Sequence, residues 1–466
     1  MSIRRQSSRR IGSIRNALNR LAPRPLSRCS PPVMQALESR TLMAFSPLNH
    51  SPDLTGGSAV SRVDPSTGDI YVATSEQVSG GYHSIAITRF TSSGSIDTTW
   101  GSSGTLTLTQ WGQFLSDPQG SDDVPDAIAM QDDNIVVVGS STAWGMVAAE
   151  VTTSGTVNWQ TDHIIQQPGV AAAVDFDENG NIYVAGNDGG SDMVVAKLED
   201  STGVLNTGFN SGGTKPGTEK ISVSGSTTVT VTSIVANNHP DDRVYVGGYT
   251  EYSIGGGTAS DFTIACVDRG GGLKSGFGTD GSGIVRTNFA ACNPNACVGY
   301  SNDALYSLAE WEDSSSNDYL YAAGATNAEG STSSAIARYT LNGTGTDGKP
   351  DDTWGFGNGD SAHSGRLIDR AGIATGIILP GGMTGNGKFV VSGIDDGDFY
   401  VDSYNPDGSY YDGFSSGTSY EESGTFGGTT QSLDSVNAAP SGNVEISGVN
   451  TTACSYDIGL AEYSFS

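Results

Sequence analysis

Residues 182–198 read IYVAGNDGGSDMVVAKL, and the way this stretch returns along the chain decides the fold. It holds a strand-like segment that ends in a small-residue step at Gly186, then a polar turn, then a second apolar segment at Asp192–Leu198. The pair occurs seven times, and successive steps lie 65, 47, 62, 76, 69 and 55 residues apart. The steps end at Thr74, Gly139, Gly186, Gly248, Gly324, Gly393 and Gly448. Recurrence of this kind predicts a repeat architecture, with the variable spacing taken up in loops.

The second segment of each pair predicts how the repeats pack. Asp192–Leu198 is apolar on both faces in its middle, and so are residues 261–267. A strand of a sheet with one solvated face would alternate between apolar and polar residues. Both faces are therefore expected to be covered, as happens when small sheets stack as blades. The sequence predicts an all-β protein: a β-propeller of seven blades, each with three to four antiparallel strands.

A full repeat contains four strands and a marked exit. A first strand and a Gly- or Asn-containing turn precede the quoted pair, and a second turn, an aromatic residue and a weaker fourth strand follow it. We expect the exit aromatics to be wedges between blades; they are Trp100, Trp159, Phe209, Phe277, Trp354 and Phe414. The seventh repeat lacks this exit. Either the last blade has three strands, or residues 45–54 complete it, although prolines in that stretch suit only an edge strand.

The repeat resembles a known sequence family. SIAITRF at residues 84–90 leads to DTTWGSSG at residues 97–104, and ARY at residues 337–339 leads to DTWG at residues 352–355. This order is similar to the delta-60 repeat of large secreted or surface bacterial proteins. Over residues 53–466 the resemblance implies a β-propeller-like fold and no established chemistry.

Charge divides the chain into two parts. Residues 1–44 contain nine Arg and one Glu, a net charge of +8, and because the whole chain carries −28, the remainder carries −36. An acidic body repels nucleic acid and anionic membrane surfaces. No apolar run has the length needed to cross a membrane. We expect residues 1–44 to be a disordered, Arg-rich leader and residues 45–466 to be a single propeller that is a monomer.

The leader also carries a resemblance. Residues 37–44 read LESRTLMA, which resembles the LEPR-x-LL-(S/A) segment near the start of many exported proteins of planctomycete bacteria. Ser39 stands where that segment has Pro, and Met43 where it has Leu. The resemblance implies secretion or attachment to the cell surface.

Few residues suggest chemistry. Carboxylate oxygens are calcium ligands, so Asp347, Asp351 and Asp352, in an insertion at residues 341–352, are a candidate calcium site; a solvated loop is the alternative. Cys292 and Cys297 are a candidate disulfide in an oxidising compartment, with two free thiols as the alternative. The stretch from Asp175 to Gly180 begins like a calcium loop but lacks the closing Glu. Neither the five His nor the glycine runs form a catalytic or phosphate-binding motif, so we assign no catalytic and no cofactor-binding residue.

The sequence therefore favours an exported, non-enzymatic β-propeller that acts as an interaction or structural module. Its partner would be a protein or polysaccharide held by loops on one face. The alternative is a propeller enzyme, a polysaccharide lyase or hydrolase, in which axial carboxylates about 5–10 Å apart would act as a pair. A third interpretation is an acidic filler protein without a discrete ligand.

Overall fold

A computed structural model gives the architecture. It describes residues 59–78, 81–109, 121–165, 168–236, 243–290, 292–293, 296–297, 300–341, 347–355, 365–380, 386–412, 421–424, 430–438, 443–451 and 456–463. Within strands at 292–297, 421–434 and 449–463, only the backbone is described. The leader at residues 1–44 and the segment at residues 45–54 lie outside the described residues.

The described residues form thirty β-strands and no helix. The strands are β1 (Ala59–Val63), β2 (Ile70–Gln77), β3 (His83–Phe90), β4 (Thr105–Thr107), β5 (Asp123–Gln131), β6 (Asn134–Ser141), β7 (Gly145–Thr152), β8 (Val157–Thr161), β9 (Val170–Phe176), β10 (Ile182–Asn187), β11 (Asp192–Leu198), β12 (Thr218–Ser222), β13 (Thr228–Ala236), β14 (Val244–Ile254), β15 (Gly257–Val267), β16 (Ile284–Thr287), β17 (Cys292–Asn293), β18 (Ala296–Cys297), β19 (Asp303–Glu312), β20 (Asp318–Thr326), β21 (Ser333–Thr340), β22 (Lys349–Pro350), β23 (Arg366–Ala371), β24 (Ile373–Ile378), β25 (Phe389–Asp395), β26 (Asp398–Tyr404), β27 (Glu421–Gly424), β28 (Thr430–Ala438), β29 (Val444–Thr451) and β30 (Tyr456–Tyr463).

Seven antiparallel sheets follow one another along the chain, which confirms the propeller prediction. Blade 1 is β1–β4, blade 2 is β5–β8, blade 3 is β9–β12, blade 4 is β13–β16, blade 5 is β19–β23, blade 6 is β24–β27 and blade 7 is β28–β30. In blade 5, β22 and β23 both pair with β21 and share the outer position. Blade 7 has three strands among the described residues. A separate two-stranded ladder, β17–β18, lies in the connection between blades 4 and 5.

The first strand of every blade is the innermost one, and these strands close a circle. β1 contacts β5, and contacts continue in turn through β9, β13, β19, β24 and β28, which contacts β1 again. At the closure, the Ser61 hydroxyl lies 2.8 Å from that of Ser435 and 2.6 Å from that of Ser447. Blades 4 and 5 meet at the equivalent position, where the Leu308 backbone N–H donates to Ser233 Oγ at 3.1 Å. Blades 7 and 1 are therefore joined like an interior pair.

Both faces of each sheet are covered, as the apolar pattern predicts. On β11, Met193 and Val195 belong to a buried cluster shared with blade 4. The alternate residues Val194 and Ala196 belong to a cluster shared with blade 2. Burial of this kind stabilises by about 25 cal/mol for each Å² of apolar surface removed from water. The helices and loops that cover sheets in other folds are replaced here by neighbouring blades.

The small-residue step has a structural cause in the innermost strand. In blades 2 to 7 that strand carries one extra residue opposite the step, such as Ala172 opposite Ala185 and Gly186. The resulting β-bulge brings a backbone carbonyl against the step, so that a Cβ at Gly186 would lie 1.9 Å from the oxygen of Val170. Blade 1 has Thr74 at the step, and there β1 pairs with β2 without a bulge. Glycine therefore marks the bulge.

The exit aromatics that the structure describes are wedges between blades, as predicted, and Phe414 lies outside the described residues. The indole N–H of Trp159 in blade 2 donates to the backbone oxygen of Asp200 in blade 3 at 2.7 Å. Gly203 of that turn has a φ of 68°, and a Cβ there would lie 2.2 Å from the Trp159 ring. Trp100 and Trp354 make the same contact with the next blade, donating to the backbone oxygens of Thr153 and Pro406, each at 2.9 Å. These bonds link successive blades through their turns.

Candidate binding surface

The two ends of the ring carry different loops. The linker face is the end where each innermost strand begins; it holds the connections between blades and the hairpins joining the second strand to the third. The exit face is the opposite end and holds the exit aromatics. Loops of a rigid scaffold commonly carry binding residues, so polar and aromatic groups held in fixed positions on either face are candidate binding residues.

One hairpin extends the linker face. β14 and β15 have eleven residues each, and their pairing continues to Ile254 opposite Gly257. The second and third strands of every other blade have between six and nine residues. At a rise of about 3.3 Å per residue, the additional residues extend this hairpin by roughly 7–10 Å beyond its neighbours. The tip residues Ser253 and Thr258 are exposed.

A network of polar side chains fixes Tyr252 on this hairpin. Its hydroxyl donates to Asp261 Oδ1 at 3.0 Å, and Asn288 Nδ2 donates to the same oxygen at 2.9 Å. Arg286 Nη2 lies 3.1 Å from Asp261 Oδ2, and its guanidinium stands 4.7 Å from the centroid of the Tyr252 ring. Burial, with a further contribution from Asp261, raises the pKa of Tyr252 to about 12. The phenol is therefore neutral and held in one orientation.

Tyr300 stands beside this network and is largely open to solvent. Its side chain is 66% exposed, the largest exposure among the large hydrophobic residues that the structure describes. The Tyr252 and Tyr300 ring centroids lie 6.5 Å apart, with an angle of 63° between the rings. We call Tyr252, Tyr300 and the underlying Arg286 the aromatic corner.

Asp303 anchors the end of the connection between blades 4 and 5, where Tyr300 lies. Its fully buried carboxylate accepts hydrogen bonds from the backbone N–H of Phe289 (2.8 Å), the hydroxyl of Ser301 (2.8 Å) and the hydroxyl of Thr326 (2.6 Å). Burial raises the pKa of Asp303 to about 6 against these donors. The backbone of Ser260 on the hairpin also bonds to Ser301 at 3.2 Å. Blade 5 and the blade 4 hairpin thus hold Ser301, next to Tyr300, from two sides.

The residues proposed for calcium lie on the exit face, and two of them are paired with arginines. Asp347 is buried and lies 2.9 Å from Arg243 Nη1 of blade 4. Asp351 accepts from Arg338 Nε at 2.9 Å, while Asp352 is exposed. No group of three or more His, Cys, Asp or Glu in the described ranges is placed to hold a metal ion. Residues 342–346 of the insertion lie outside the described residues, and the calcium site stays a prediction.

The environment of Asp351 belongs to the repeat. Its Oδ1 accepts from the backbone N–H (3.0 Å) and hydroxyl (2.6 Å) of Thr353, and in blade 1 Asp97 accepts from Thr99 at the same two distances. Both acids stand three residues before an exit tryptophan. Burial opposes ionisation of Asp351, but the bonds from Thr353 and Arg338 lower its pKa on balance. Asp97 also lies 3.5 Å from Arg89 Nη1, so that the exit aspartate pairs with an arginine in both blade 1 and blade 5.

The cysteines that the structure describes separate into two groups. Cys266 is a free thiol that is fully buried between blades 4 and 5, and burial raises its pKa. It is therefore an unreactive packing residue. Cys292 and Cys297 lie opposite each other in the β17–β18 ladder, but their side chains lie outside the described part. Their disulfide stays a prediction.

Two acids on innermost strands test the enzymatic alternative. Asp126 is the extra residue of the blade 2 bulge, accepts from Ser140 Oγ at 3.0 Å, and has a pKa raised by burial to about 7. Asp175 of blade 3 accepts from the backbone N–H of Ala236 at 3.0 Å, and burial raises its pKa to about 6. Asp126 stands beside the step, whereas Asp175 pairs three residues before it, a separation of about 10 Å along the strand direction.

Comparisons with known proteins return only distant structural similarity. No family model matches the chain, and no curated protein matches it. Among solved structures, Drosophila Semaphorin 2a is 11% identical with a TM-score of 0.47, over 91% of this chain and 75% of that one. Sqt1 from Chaetomium thermophilum is 10% identical with a TM-score of 0.46, over 92% and 99%. The Dos1 propeller is 8% identical with a TM-score of 0.42, over 91% and 96%. The blade assignment rests on the strand pairing of this chain itself.

No helix in the described ranges has the length and apolar character needed to span a membrane.

Sequence reasoning missed the aromatic corner, because Tyr252 and Tyr300 belong to no repeat position. One available signal was the glycine run at residues 255–257, which closes the longest hairpin.

Proposed function

We propose that this chain is an exported, non-enzymatic interaction module that binds a surface protein or polysaccharide through its linker face. The aromatic corner carries this proposal. In this corner, the exposed Tyr300 lies beside Tyr252, whose orientation is fixed by Arg286 and two polar side chains. Tyrosine and arginine are among the residues that contribute most of the binding energy at interfaces. A site whose geometry is fixed beforehand loses little conformational entropy when a partner binds.

Export is part of the proposal and is supported by two resemblances. Residues 37–44 resemble the planctomycete LEPR-type segment, and the repeats resemble delta-60 repeats of secreted or surface proteins. We expect the full chain to reach the cell surface or medium in a planctomycete host, and a chain lacking residues 37–44 to stay inside. Equal distribution of the two chains on fractionation would contradict this role of the segment.

The enzymatic alternative receives less support. A lyase or hydrolase needs carboxylates that act on the same bond, and the register places Asp126 and Asp175 about 10 Å apart along the strand direction. A carboxyl with a pKa near 7 is nevertheless suited to general acid catalysis. Product release from polysaccharides by the wild-type chain, lost in Asp126→Asn, would establish the enzyme and overturn the non-enzymatic proposal.

A binding screen tests the interaction role directly. The full chain is applied to a glycan array and to surface proteins of the producing cell, with calcium and with a chelator. We expect retention of a partner that is lost in Tyr300→Ala and kept in Tyr410→Ala. Tyr410 is the matched control, because it is also an exposed tyrosine (46%) but follows a third strand on the exit face. Absence of any Tyr300-dependent partner would refute the proposed surface.

A further inference from the structure

We propose that the aromatic corner is a subsite for a neutral polysaccharide, an inference that rests on the interaction function proposed above. A pyranose ring presents flat C–H faces and a rim of hydroxyls. The exposed Tyr300 ring offers an apolar surface of matching size, and the Tyr252 ring meets it at 63° as a second wall. Rings arranged at this angle can contact one sugar ring on its face and on its edge.

Polar groups around the corner suit the hydroxyl rim. Arg286, whose side chain is 30% exposed beneath Tyr252, supplies N–H donors. The phenol hydroxyl of the exposed Tyr300 both donates and accepts. Asp261 is occupied by Tyr252, Asn288 and Arg286, so that it holds the site in shape. The corner therefore combines stacking with directional hydrogen bonds.

Charge selects among polysaccharides. Residues 45–466 carry a net charge of −36, and a body of this charge repels uronate, sulfate and phosphate polymers over the Debye length, about 8 Å at physiological ionic strength. Arg286 does not offset this, because its charge is paired with Asp261. A neutral chain meets no such repulsion, and we assign neutral glycans as the ligand class.

The apolar surface that the described residues expose on the linker face is small. Among the described residues, the exposed large hydrophobics are Val170, Val204, Tyr300 and Tyr410. Only Val170 and Tyr300 belong to the linker face, since Val204 and Tyr410 follow third strands. A stable protein interface covers about 800 Å² on each partner around an apolar core. A sugar needs only the two rings found here.

Affinity electrophoresis of the full chain tests the ligand class, in gels that contain neutral β-glucan, neutral mannan or anionic polygalacturonate. We expect retardation by at least one neutral polymer and none by polygalacturonate. Tyr300→Ala should weaken the retarding interaction about tenfold or more, because both stacking and apolar burial are lost. Tyr300→Trp should retain it, a result expected of a stacking platform and not of a tyrosine held by its hydroxyl. Tyr410→Ala should migrate as the wild-type chain does.

Other outcomes would overturn the inference. Retardation by polygalacturonate in preference to the neutral polymers, or neutral binding unchanged in Tyr300→Ala, contradicts the assigned ligand and site. If no polysaccharide retards the chain while a surface protein binds it in a Tyr300-dependent way, the ligand class is wrong and the interaction function stands. If neither class of partner binds, both proposals fail. Thermal melting of each variant confirms that an exposed position was altered without loss of the fold.

Discussion

Replacement of Gly186 by alanine tests why the repeated step is glycine. The new Cβ would lie 1.9 Å from the backbone oxygen of Val170 and 2.8 Å from Met146 Cε. Real Cβ atoms essentially never approach another atom more closely than 3.0 Å. The Val170 oxygen at 1.9 Å must therefore move away by about 1.1 Å, which separates β9 from β10. Overpacking costs about 1–3 kcal/mol, and two weakened ladder hydrogen bonds add about 1 kcal/mol each. We expect a loss of about 4 kcal/mol in the free energy of unfolding.

Thermal melting and denaturant titration of the purified chain measure this loss. Unfolding entropy summed over roughly 400 residues converts about 4 kcal/mol into a fall in Tm of about 5 °C. Thr74→Ala is the matched control, because blade 1 has the same step without a bulge, and it should cost about 1 kcal/mol or less. Deletion of Ala172 together with Gly186→Ala should restore much of the loss by removing the bulge. A stable Gly186→Ala chain, or an equal loss in Thr74→Ala, would refute the reasoning.

Three further perturbations address the blade contacts and the acids. Trp159→Phe keeps the wedge but removes its hydrogen bond to the next blade, and should cost about 1 kcal/mol in denaturant titration, against about 3–5 kcal/mol for Trp159→Ala; equal losses would mean that the bond carries no part of the contact. Asp351→Asn should destabilise by about 3 kcal/mol through the unpaired Arg338, equally with calcium and with chelator, whereas the more exposed Asp97→Asn should cost about 1 kcal/mol or less. Stabilisation of the wild type by calcium that disappears in Asp351→Asn would establish the metal site instead. Because the folded-state pKa of Asp126 is raised to about 7, the folded chain holds that proton more tightly than the unfolded chain, so this group lowers stability as pH rises from about 4 to 7. Asp126→Asn should therefore gain stability relative to the wild type above pH 7 and lose that advantage near pH 4; a difference independent of pH would contradict the shift.

The repeat could be read from the sequence because its signals are local. Apolar residues on both faces of β11 require cover on both sides, whichever residues provide it. The exit aromatics could likewise be predicted as wedges, since a large ring at a fixed repeat position needs a fixed pocket. The hydrogen bonds from the exit tryptophans to the next blade were not predictable, because the acceptors are backbone oxygens 41 to 53 residues away.

The sites were less accessible to sequence reasoning. Asp351 was grouped with Asp347 and Asp352 because all three share one insertion, yet Asp351 has a counterpart at Asp97 in blade 1 and Asp347 is paired with Arg243 of another blade. Proximity along the chain suggested one oxygen cluster, whereas the ring assigns the acids to different partners. Tyr252 and Tyr300 lie 48 residues apart and meet only because an insertion folds back onto a long hairpin.

By itself, the sequence determined the strands, their grouping into seven blades and the need to cover both faces, because the alternation of side chains and the chemistry of turns act within a few residues. Only the tertiary structure decided how the circle closes, at Ser61, Ser435 and Ser447, and why six of the seven steps are glycine. Closure joins groups 374 and 386 residues apart. Glycine is required at the step because a bulge in another strand brings a backbone carbonyl to where a Cβ would lie. Contacts of this kind depend on where a whole sheet lies against its neighbour, and no local pattern of residues encodes that position.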